Sequence, residues 1–400
     1  GKNIVIVEIG GTVGDIESQP FLEAIRQFRN EHPHDCVNLH LTYVPYLRAA
    51  GEVKTKPTQQ SVQLLRGIGI IPDFLVCRSE QALSPEIKEK IALFCSVPVH
   101  RVIDEPDVEH SIYEVPLALH KEGLDQKICQ FFSLPLLPQP LRQWEKIVYQ
   151  LLHPQGEVHI GIVGKYVQHK DAYKSVFEAL QHAAIFLQKK LILHLFESEK
   201  ILQDGKIIPE VKGLDGYLIP GGFGERGWMG KLMTVKYCRE EKVPFFGICL
   251  GMQAMTVEFA RHVLGFPLAN STEMDISTPD PVISLLSEQQ AILHKGGTMR
   301  RGVYPCELKE NSLAKKAYQK PLVKERHRHR FEFNQKYKEL FAKKGLHVTG
   351  HTPDHQLTEI IEIENHPWMV GVQFHPEFTS KPFAPHPLFV DFIKASSSHE

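Results

Sequence analysis

The sequence predicts an α/β protein of two domains, each a mainly parallel sheet flanked by helices. Short apolar runs with little polar alternation, such as NIVIVE (3–8) and VPFFGIC (243–249), are typical of strands buried on both faces. Helical segments separate these runs, and this alternation favours parallel strands joined by helices. A length of 400 residues suits two or more domains of ordinary size.

The first region alternates between strands and helices up to about residue 130. After the run at 3–8 we predict, in order, a helix at 20–29, a strand at 37–44, a helix at 58–67 and a strand at 73–78. The proline-rich stretch 131–141 cannot continue a helix, so we place a linker at 131–156, with a helix at 142–152. We therefore predict that the two domains span residues 1–130 and 157–400.

The second region repeats the strand and helix alternation. The predicted strands are at 158–166, 191–196, 216–220, 243–249 and 369–374, with a helix at 173–187. The segment 270–302 is long and strand-poor, and we expect hairpins or a lid over the site.

Composition excludes several functional classes. Basic and acidic residues number 46 and 47, so the charge balance indicates no nucleic-acid partner. No apolar run approaches the roughly 20 residues of a membrane span. The seven cysteines are scattered and odd in number, which favours reduced thiols and a cytoplasmic location over a disulfide framework or a zinc site.

The segment FFGICLGMQA (245–254) has the pattern of a nucleophile elbow with cysteine at its tip. Gly247, Cys249 and Gly251 give the spacing Gly-x-nucleophile-x-Gly, here between a strand and a helix. The turn strains the nucleophile's backbone and leaves no room for side chains on either flank. The helix N-terminus directs its dipole at the sulfur and favours the thiolate.

Two candidate partners lie near the C-terminus, in VGVQFHPEF. His375 and Glu377 are two residues apart at the end of a predicted strand, where residues i and i+2 point to the same face. A cysteine, a histidine and a carboxylate are the parts of an activated-nucleophile triad. The glycine-rich turn IPGGFGERG (219–227) follows another strand, and the N–H groups of Gly222 and Leu250 are candidate oxyanion donors.

The order of these motifs identifies a family. PGGFG (220–224), GICLGMQ (247–253) and FHPEF (374–378) resemble a class I glutamine amidotransferase domain. The other half resembles the synthetase part of the CTP synthase family in VEIGGTVGDIES (7–18), HLTYVPY (40–46), GEVKTKPTQQS (51–61) and KIALFC (90–95), and ERHRHRFEFN (325–334) matches the same family. The resemblance covers essentially the whole chain. It implies a ligase that aminates UTP to CTP with ATP and with ammonia from glutamine.

The resemblance also implies roles for individual residues in the amidotransferase half. Glutamine and the oxyanion are assigned to Gly222, Leu250, Gly251, Met252, Gln253, Glu273 and Arg330. Glu273 would meet the α-ammonium group and Arg330 the α-carboxylate, because a guanidinium binds a carboxylate through two parallel hydrogen bonds. On the residues alone, both would be solvated surface charges.

The synthetase half receives nucleotide and metal roles on the same basis. UTP and CTP are assigned to Asp15, Ile16, Glu17, Lys54, Thr55, Lys56, Pro57, Thr58, Gln59 and Lys90. Val108 would border the ATP adenine, and Glu8 would bind Mg²⁺. Lysine and hydroxyl groups are suited to binding a triphosphate. On the residues alone, however, a lysine pair in a loop is usually solvent-exposed, and Glu8 would be a solvated residue at the end of a strand.

The family resemblance also implies how the protein is regulated and assembled, and which motif of the family the sequence lacks. Members are activated by GTP, inhibited by CTP and assembled as homotetramers, and Arg300 is a candidate GTP-sensing residue in the expected lid. No GxxxxGK[ST] phosphate loop occurs in the sequence, whereas the family carries its ATP phosphate loop in a preceding segment. We therefore expect an N-terminally truncated chain with glutaminase activity alone.

Two other readings stay open. One is a stand-alone glutaminase or another class I amidotransferase, against which KTKPTQ and GGTVGDIES argue. The other is a nucleotide-binding regulatory, filament-forming relative without catalysis, against which the complete set of Cys249, His375 and Glu377 argues. In RHRHR (326–330), the three arginines disfavour a metal, so His327 and His329 are expected to be structural or to face an anion.

Overall fold

The computed structural model describes residues 4–136, 141–165, 170–285 and 299–398. The chain divides into two compact units, Gly1–Tyr149 and Gln150–Glu400, called unit 1 and unit 2 below. Both units combine parallel strands with flanking helices, which confirms the predicted α/β class. The functional boundaries at 1–130, 131–156 and 157–400 stay a prediction.

Unit 1 contains a small parallel sheet. Its described strands are β1 Leu39–Val44, β2 Tyr46–Leu47, β3 Glu52–Val53, β4 Phe74–Ser79 and β5 Val102–Pro106. Its helices are α1 Gln19–Glu31, α2 Lys56–Gly67, α3 Pro85–Cys95, α4 Val115–Lys121, α5 Leu124–Phe131 and α6 Arg142–Leu152, and the division between the units falls within α6. Strands β1, β4 and β5 pair in that order, all parallel, while β2 and β3 form a hairpin.

The strand predicted at 3–8 is wrong for the residues that the structure describes. Residues 4–10 have no regular structure, and the side chains of the apolar run are exposed, up to 91% at Ile6. A strand needs a hydrogen-bonded neighbour, and none of the strands that the structure describes pairs with this segment. The apolar composition of this segment was therefore not sufficient to predict a strand.

Unit 2 contains a larger sheet and several short strands. Its described strands are β6 Glu157–Gly164, β7 Lys190–Glu197, β8 Leu202–Gln203, β9 Lys206–Ile207, β10 Gly216–Ile219, β11 Phe245–Ile248, β12 Asn270–Ser271, β13 Pro281–Ser284, β14 Arg300–Leu308, β15 Leu322–His329, β16 Glu332–Phe333, β17 Leu346–His351, β18 Thr358–Ile363 and β19 Met369–Val372. Its described helices are α7 Lys174–Phe186, α8 Trp228–Glu241, α9 Leu250–His262, α10 Leu313–Tyr318, α11 Lys338–Ala342 and α12 Pro387–Ser396.

The main sheet of unit 2 has nine strands in the order β15-β14-β17-β18-β19-β11-β10-β6-β7. The strands from β19 to β7 are parallel to their neighbours, and those from β15 to β19 are antiparallel. The parallel half was predicted, whereas the antiparallel extension was not. Because β11 lies between β10 and β19, the nucleophile segment is central in the sheet.

Both faces of the central strands are buried. Phe245 belongs to the core on the side of α8 and α9, and Phe246 to the core that contains Phe389 and Phe392 of α12. This explains why β11 is an uninterrupted apolar run, because parallel strands covered by helices on both faces have no polar side. None of the described helices is both long and apolar enough to cross a membrane.

The expected lid is described only in part. Strands β12 and β13 and the start of β14 lie within 270–302, whereas residues 286–298 lie outside the described residues. The lid therefore stays a prediction.

Candidate active site

The nucleophile elbow is a sharp turn between β11 and α9. Cys249 has φ 52° and ψ −98°, a strained conformation for a residue with a side chain, and only 3% of its surface is exposed. A Cβ added to Gly247 would lie 2.6 Å from the backbone carbon of Gly251, and one added to Gly251 would lie 2.3 Å from the Ile219 oxygen. Both glycines are therefore required by close backbone packing.

His375 and Glu377 are hydrogen-bonded, but not for the reason that the sequence suggested. Strand β19 ends at Val372, and Glu377 lies in the 3-10 turn Pro376–Phe378. The strand-face argument for these two residues is thus wrong. The turn itself brings Nδ1 of His375 to 2.8 Å from Oε1 of Glu377, while the His375 N–H donates to the Arg326 oxygen at 2.8 Å.

The electrostatic setting of His375 favours the imidazolium. Burial lowers its pKa, but the adjacent Cys249 sulfur and the Glu377 carboxylate outweigh that effect and raise the pKa to about 10. Nε2 of His375 has no hydrogen-bond partner among the described residues. The ring is therefore oriented through Nδ1, and its other nitrogen is available for proton transfer.

Cys249, His375 and Glu377 line one cavity of about 340 Å³. Its lining also includes Asp171, Ala172, Tyr173, Ser175, Val176, Pro220, Gly221, Gly222, Phe223, Arg328 and Phe378. The volume suits a small-molecule ligand of amino-acid size. The three predicted triad residues and the predicted oxyanion residue Gly222 are thus brought together.

The glycine-rich turn after β10 forms one wall of the cavity. A Cβ added to Gly221 would lie 2.6 Å from Cε1 of His375 and 3.6 Å from the Cβ of Cys249. Sequence reasoning missed Gly221, although the double glycine signals close backbone approach. Gly222 lies against Leu250, since its added Cβ would be 3.4 Å from Leu250 Cδ2. Leu250 begins α9, so its N–H belongs to the unpaired first turn.

Neither Glu273 nor Arg330 is part of the cavity lining. Oε1 of Glu273 accepts a hydrogen bond of 2.8 Å from the Gly224 N–H. Burial raises the pKa of Glu273, while the Gly224 hydrogen bond and the Arg330 charge oppose that rise. The arginine that does line the cavity is Arg328, which the sequence analysis did not select.

Two residues of α9 that were assigned to glutamine are packed inward. Met252 is fully buried and lies against Gly371 of β19. The side-chain amide of Gln253 donates to the Phe331 oxygen at 3.2 Å and to Oε1 of Gln373 at 3.4 Å. The Met252 side chain and the NH₂ of Gln253 are therefore engaged with the protein itself, whereas the buried Oε1 of Gln253 has no hydrogen-bond partner among the described residues.

His327 and His329 belong to a buried polar network. Their ring nitrogens lie 3.0 Å apart, and Glu359 pairs with Arg300 at 2.6 Å. Burial and the Arg300 charge lower the pKa of His327 to about 2 and that of His329 to about 3, so both rings are neutral. Arg300, the GTP candidate, is 10% exposed and lies over the Tyr304 ring.

In unit 1, the segment KTKPTQ forms the start of α2, which begins at Lys56 after Thr55. The hydroxyl of Thr58 is buried and donates to Thr42 and to the Tyr43 oxygen, both at 3.2 Å. Gln59 donates to the Thr55 hydroxyl at 3.0 Å. Pro57 occupies the first turn of the helix. A helix N-terminus offers free N–H groups and a positive dipole end to an anion.

Lysines lie around this helix start, and one of them, Lys54, forms an ion pair with Glu52. The hydrogen bond and charge of Lys54, with a smaller contribution from Lys90, lower the pKa of Glu52. Val108 follows β5, and its neighbour Asp107 pairs with Arg78 of β4 at 2.7 Å. KTKPTQ follows the β2–β3 hairpin, and its Thr58 bonds to the Tyr43 oxygen near the carboxyl end of β1. Val108 follows β5, and the carboxyl edge of the parallel strands is where such sheets bind ligands.

The remaining unit 1 candidates are exposed. Asp15, Ile16 and Glu17 lie at the surface in a turn held by the Thr12 N–H, which donates to Oδ2 of Asp15 at 2.7 Å. Glu8 is exposed and belongs to none of the metal-compatible groups of three or more His, Cys, Asp or Glu found in the described residues. These residues do not form a magnesium site around Glu8 by themselves, and its metal role stays a prediction.

Two family models and two individual relatives that match this chain indicate the same family. Residues 1–134 match the family model "CTP synthase N-terminus", and residues 168–395 match "Glutamine amidotransferase class-I". The chain is 60% identical over 394 residues to a CTP synthase of Protochlamydia amoebophila, covering 98% of this chain and 73% of that protein. It is 54% identical over 400 residues to a CTP synthase of Chlamydia trachomatis, with 99% and 73% covered.

A solved structure of a glutaminase domain is similar to part of this chain. The glutaminase domain of Trypanosoma brucei CTPS, with bound acivicin, is 33% identical with a TM-score of 0.56. The match covers 61% of this chain and 95% of that domain.

Proposed function

This chain belongs to the CTP synthase family, and on that premise we propose that unit 2 hydrolyses glutamine at Cys249, His375 and Glu377. The ammonia would serve the ATP-dependent amination of UTP to CTP, the C–N bond-forming reaction of this ligase family. One observation supports this proposal above all. Cys249, which is buried and has a strained backbone, and His375, which is oriented by the Glu377 carboxylate, line the same cavity of about 340 Å³.

The acylation step uses these groups in order. His375 holds the proton of the Cys249 thiol, as its raised pKa favours, and the thiolate attacks the side-chain amide carbon of glutamine. The N–H groups of Gly222 and Leu250 stabilise the oxyanion that forms. The C–N bond then breaks, His375 returns the proton to the nitrogen, and ammonia leaves a thioester on Cys249.

The second step regenerates the enzyme. His375, now neutral, removes a proton from water, which attacks the thioester carbon. The C–S bond breaks, glutamate leaves and the sulfur regains its thiolate. Glu377 holds the imidazole through Nδ1 and stabilises the imidazolium in both steps.

Substrate selection is proposed for charged groups around the cavity. Arg328 lines the cavity and is suited to the α-carboxylate, the role that the family resemblance gives to Arg330. Glu273 carries the negative charge that the α-ammonium group needs, provided that it remains ionised when glutamine binds. Exchanging Arg328 or Arg330 singly for alanine would show which one raises the KM for glutamine.

In unit 1 we propose binding of UTP, and of CTP as feedback inhibitor, by Asp15, Ile16, Glu17, Lys54, Thr55, Lys56, Pro57, Thr58, Gln59 and Lys90. The N-terminal position of KTKPTQ on α2 and the lysine charges beside it support a phosphate site. Val108 would border the adenine of ATP, and Glu8 would hold Mg²⁺ with the nucleotide phosphates. Activation by GTP, homotetramer formation and a cytoplasmic location complete the proposal.

The 400 residues contain no Walker-type phosphate loop, so we propose that this chain by itself hydrolyses glutamine and does not aminate UTP. An incubation of the purified chain with UTP, ATP, Mg²⁺ and free ammonia should yield no CTP. Detectable CTP would contradict this part of the proposal and leave the glutaminase part standing.

The central experiment is glutamate and ammonia release from glutamine, with and without GTP, by the chain and by its Cys249→Ala variant. Turnover that disappears in the variant supports the triad. Turnover that persists in the variant, or its absence from the parent chain, would refute the proposed site.

A further inference from the structure

We propose that Gln373, which lies outside the triad, is a positioning residue that holds the Cys249 sulfur through an N–H···S hydrogen bond. Nε2 of Gln373 lies 3.6 Å from Sγ of Cys249. Gln373 is fully buried, and its backbone N–H donates to the Glu359 oxygen at 2.9 Å. The inference rests on the proposed role of Cys249 as the nucleophile.

The direction of this hydrogen bond is fixed by a backbone carbonyl. The Phe331 oxygen only accepts hydrogen bonds, so the group of Gln253 that faces it at 3.2 Å is its NH₂. The same NH₂ donates to Oε1 of Gln373 at 3.4 Å. The other end of the Gln373 amide, which faces the sulfur, is therefore its NH₂. The Phe331 carbonyl thus determines the orientation of the Gln253 amide, which in turn determines the orientation of the Gln373 amide beside Cys249.

A donor directed at the sulfur has two effects in a buried site. It stabilises the thiolate relative to the thiol, since hydrogen bonds to charged groups are stronger than neutral ones. It also restricts the rotation of Sγ, so that His375 acts on a sulfur atom held in one position. Gln373 transfers no proton, because a side-chain amide keeps both of its hydrogens at neutral pH.

The same contacts give Gln253 a supporting function. Its side-chain NH₂ is shared by Phe331 and Gln373, so it orients the amide of Gln373. Sequence reasoning singled out Gln253 from its helix and passed over Gln373, which lies two residues before His375 in the run VGVQFHPEF. Only the tertiary contact between α9 and the segment after β19 links the two.

The test is the pH dependence of Cys249 alkylation by iodoacetamide, measured by mass spectrometry of the peptide that contains Cys249. Gln373→Met removes the donor at similar volume, and Gln373→Glu replaces it with an acceptor. For Gln373→Met we expect the alkylation midpoint to rise by about one pH unit and kcat for glutamine to fall at least about tenfold, with KM changed less than about twofold. Gln373→Glu should move the midpoint further.

Gln335→Met is the matched control, since Gln335 donates to the Thr358 hydroxyl at 2.8 Å and is not part of the cavity lining. Its alkylation midpoint should equal that of the parent chain. If Gln373 only fills space, its variants lower the unfolding temperature and leave the alkylation midpoint unchanged, which overturns the inference.

The two proposals fail separately in this design. Alkylation requires no turnover, so a parent chain that is inactive on glutamine would refute the proposed function, while the midpoint shift would still support the N–H···S bond. An active parent chain with no shift in either Gln373 variant would refute the Gln373 inference alone.

Discussion

Unit 2 gathers its predicted catalytic side chains, which are themselves buried, around one cavity, whereas unit 1 carries most of its predicted nucleotide-binding residues on exposed segments. Cys249 is 3% exposed and His375 is oriented by Glu377 at 2.8 Å. In unit 1, Asp15, Ile16, Glu17 and Lys56 are exposed. Both sites were predicted from short sequence motifs, so we attribute the difference to what each chemistry requires of the fold.

A nucleophile must be assembled before substrate arrives. Thiolate activation needs a base and a donor within hydrogen-bonding reach, and those groups must come from the folded protein. A triphosphate brings its own charge, so its site needs only accessible cations and free N–H groups. The start of α2 with Lys54 and Lys90 meets that lower requirement.

The substitution Cys249→Ala tests this contrast between the units and has the largest expected effect. Glutamine hydrolysis should fall by roughly 10⁴-fold or more, because loss of a nucleophile removes covalent catalysis entirely. CTP binding by unit 1 should persist, as measured by isothermal titration calorimetry. Cys36→Ala in unit 1 is the control and should retain hydrolysis. Loss of both activities in Cys249→Ala would show that the units are not independent.

Glu377→Gln tests the orientation of His375, with an expected loss of up to about 10⁴-fold in kcat. It should also change the pH profile. The Glu377 carboxylate contributes to raising the pKa of His375 to about 10, so its neutralisation lowers that pKa and moves the basic limb of activity to lower pH. A pH–rate profile from pH 6 to about 10.5 measures both effects. An unmoved basic limb would contradict the assigned pairing.

Gly221→Ala tests the packing of the catalytic ring. Its Cβ would lie 2.6 Å from Cε1 of His375, so the ring must shift, and we expect kcat to fall by roughly 10²-fold. Gly67→Ala, where an added Cβ has no atom within 4 Å, is the matched control. Steady-state kinetics with both variants decides the point, and normal kcat in Gly221→Ala would mean that the turn yields instead of the ring.

Lys54→Ala has the smallest expected effect, about a tenfold weaker affinity for CTP or UTP. The measurement is calorimetric titration in the Cys249→Ala background, which prevents turnover. Lys121→Ala, an exposed lysine at the end of α4, is the control. Equal affinities in the two variants would remove Lys54 from the proposed nucleotide site.

The secondary structure was predictable where a segment had both periodicity and a partner. The helix expected at 142–152 is observed as Arg142–Leu152, and the strand expected at 216–220 as Gly216–Ile219. The apolar run at 3–8 has the composition of a strand, yet its described residues 4–8 form none. The antiparallel half of the unit 2 sheet was also missed, because strand pairing depends on partners far away in sequence.

The sequence by itself determined the pattern of the elbow, because Gly247, Cys249 and Gly251 are near neighbours and an added Cβ at Gly247 would meet the nearby backbone of Gly251. The contact that requires Gly251, with the Ile219 oxygen of β10, is tertiary. The sequence also determined the residue types and order of the proposed triad. Only the tertiary structure decided that Gly221 touches His375, that Arg328 lines the cavity, and that Gln253 directs Gln373 toward the sulfur. Those contacts join residues on separate strands, turns and a helix, so they follow from sheet order, register and helix packing, which short motifs do not encode.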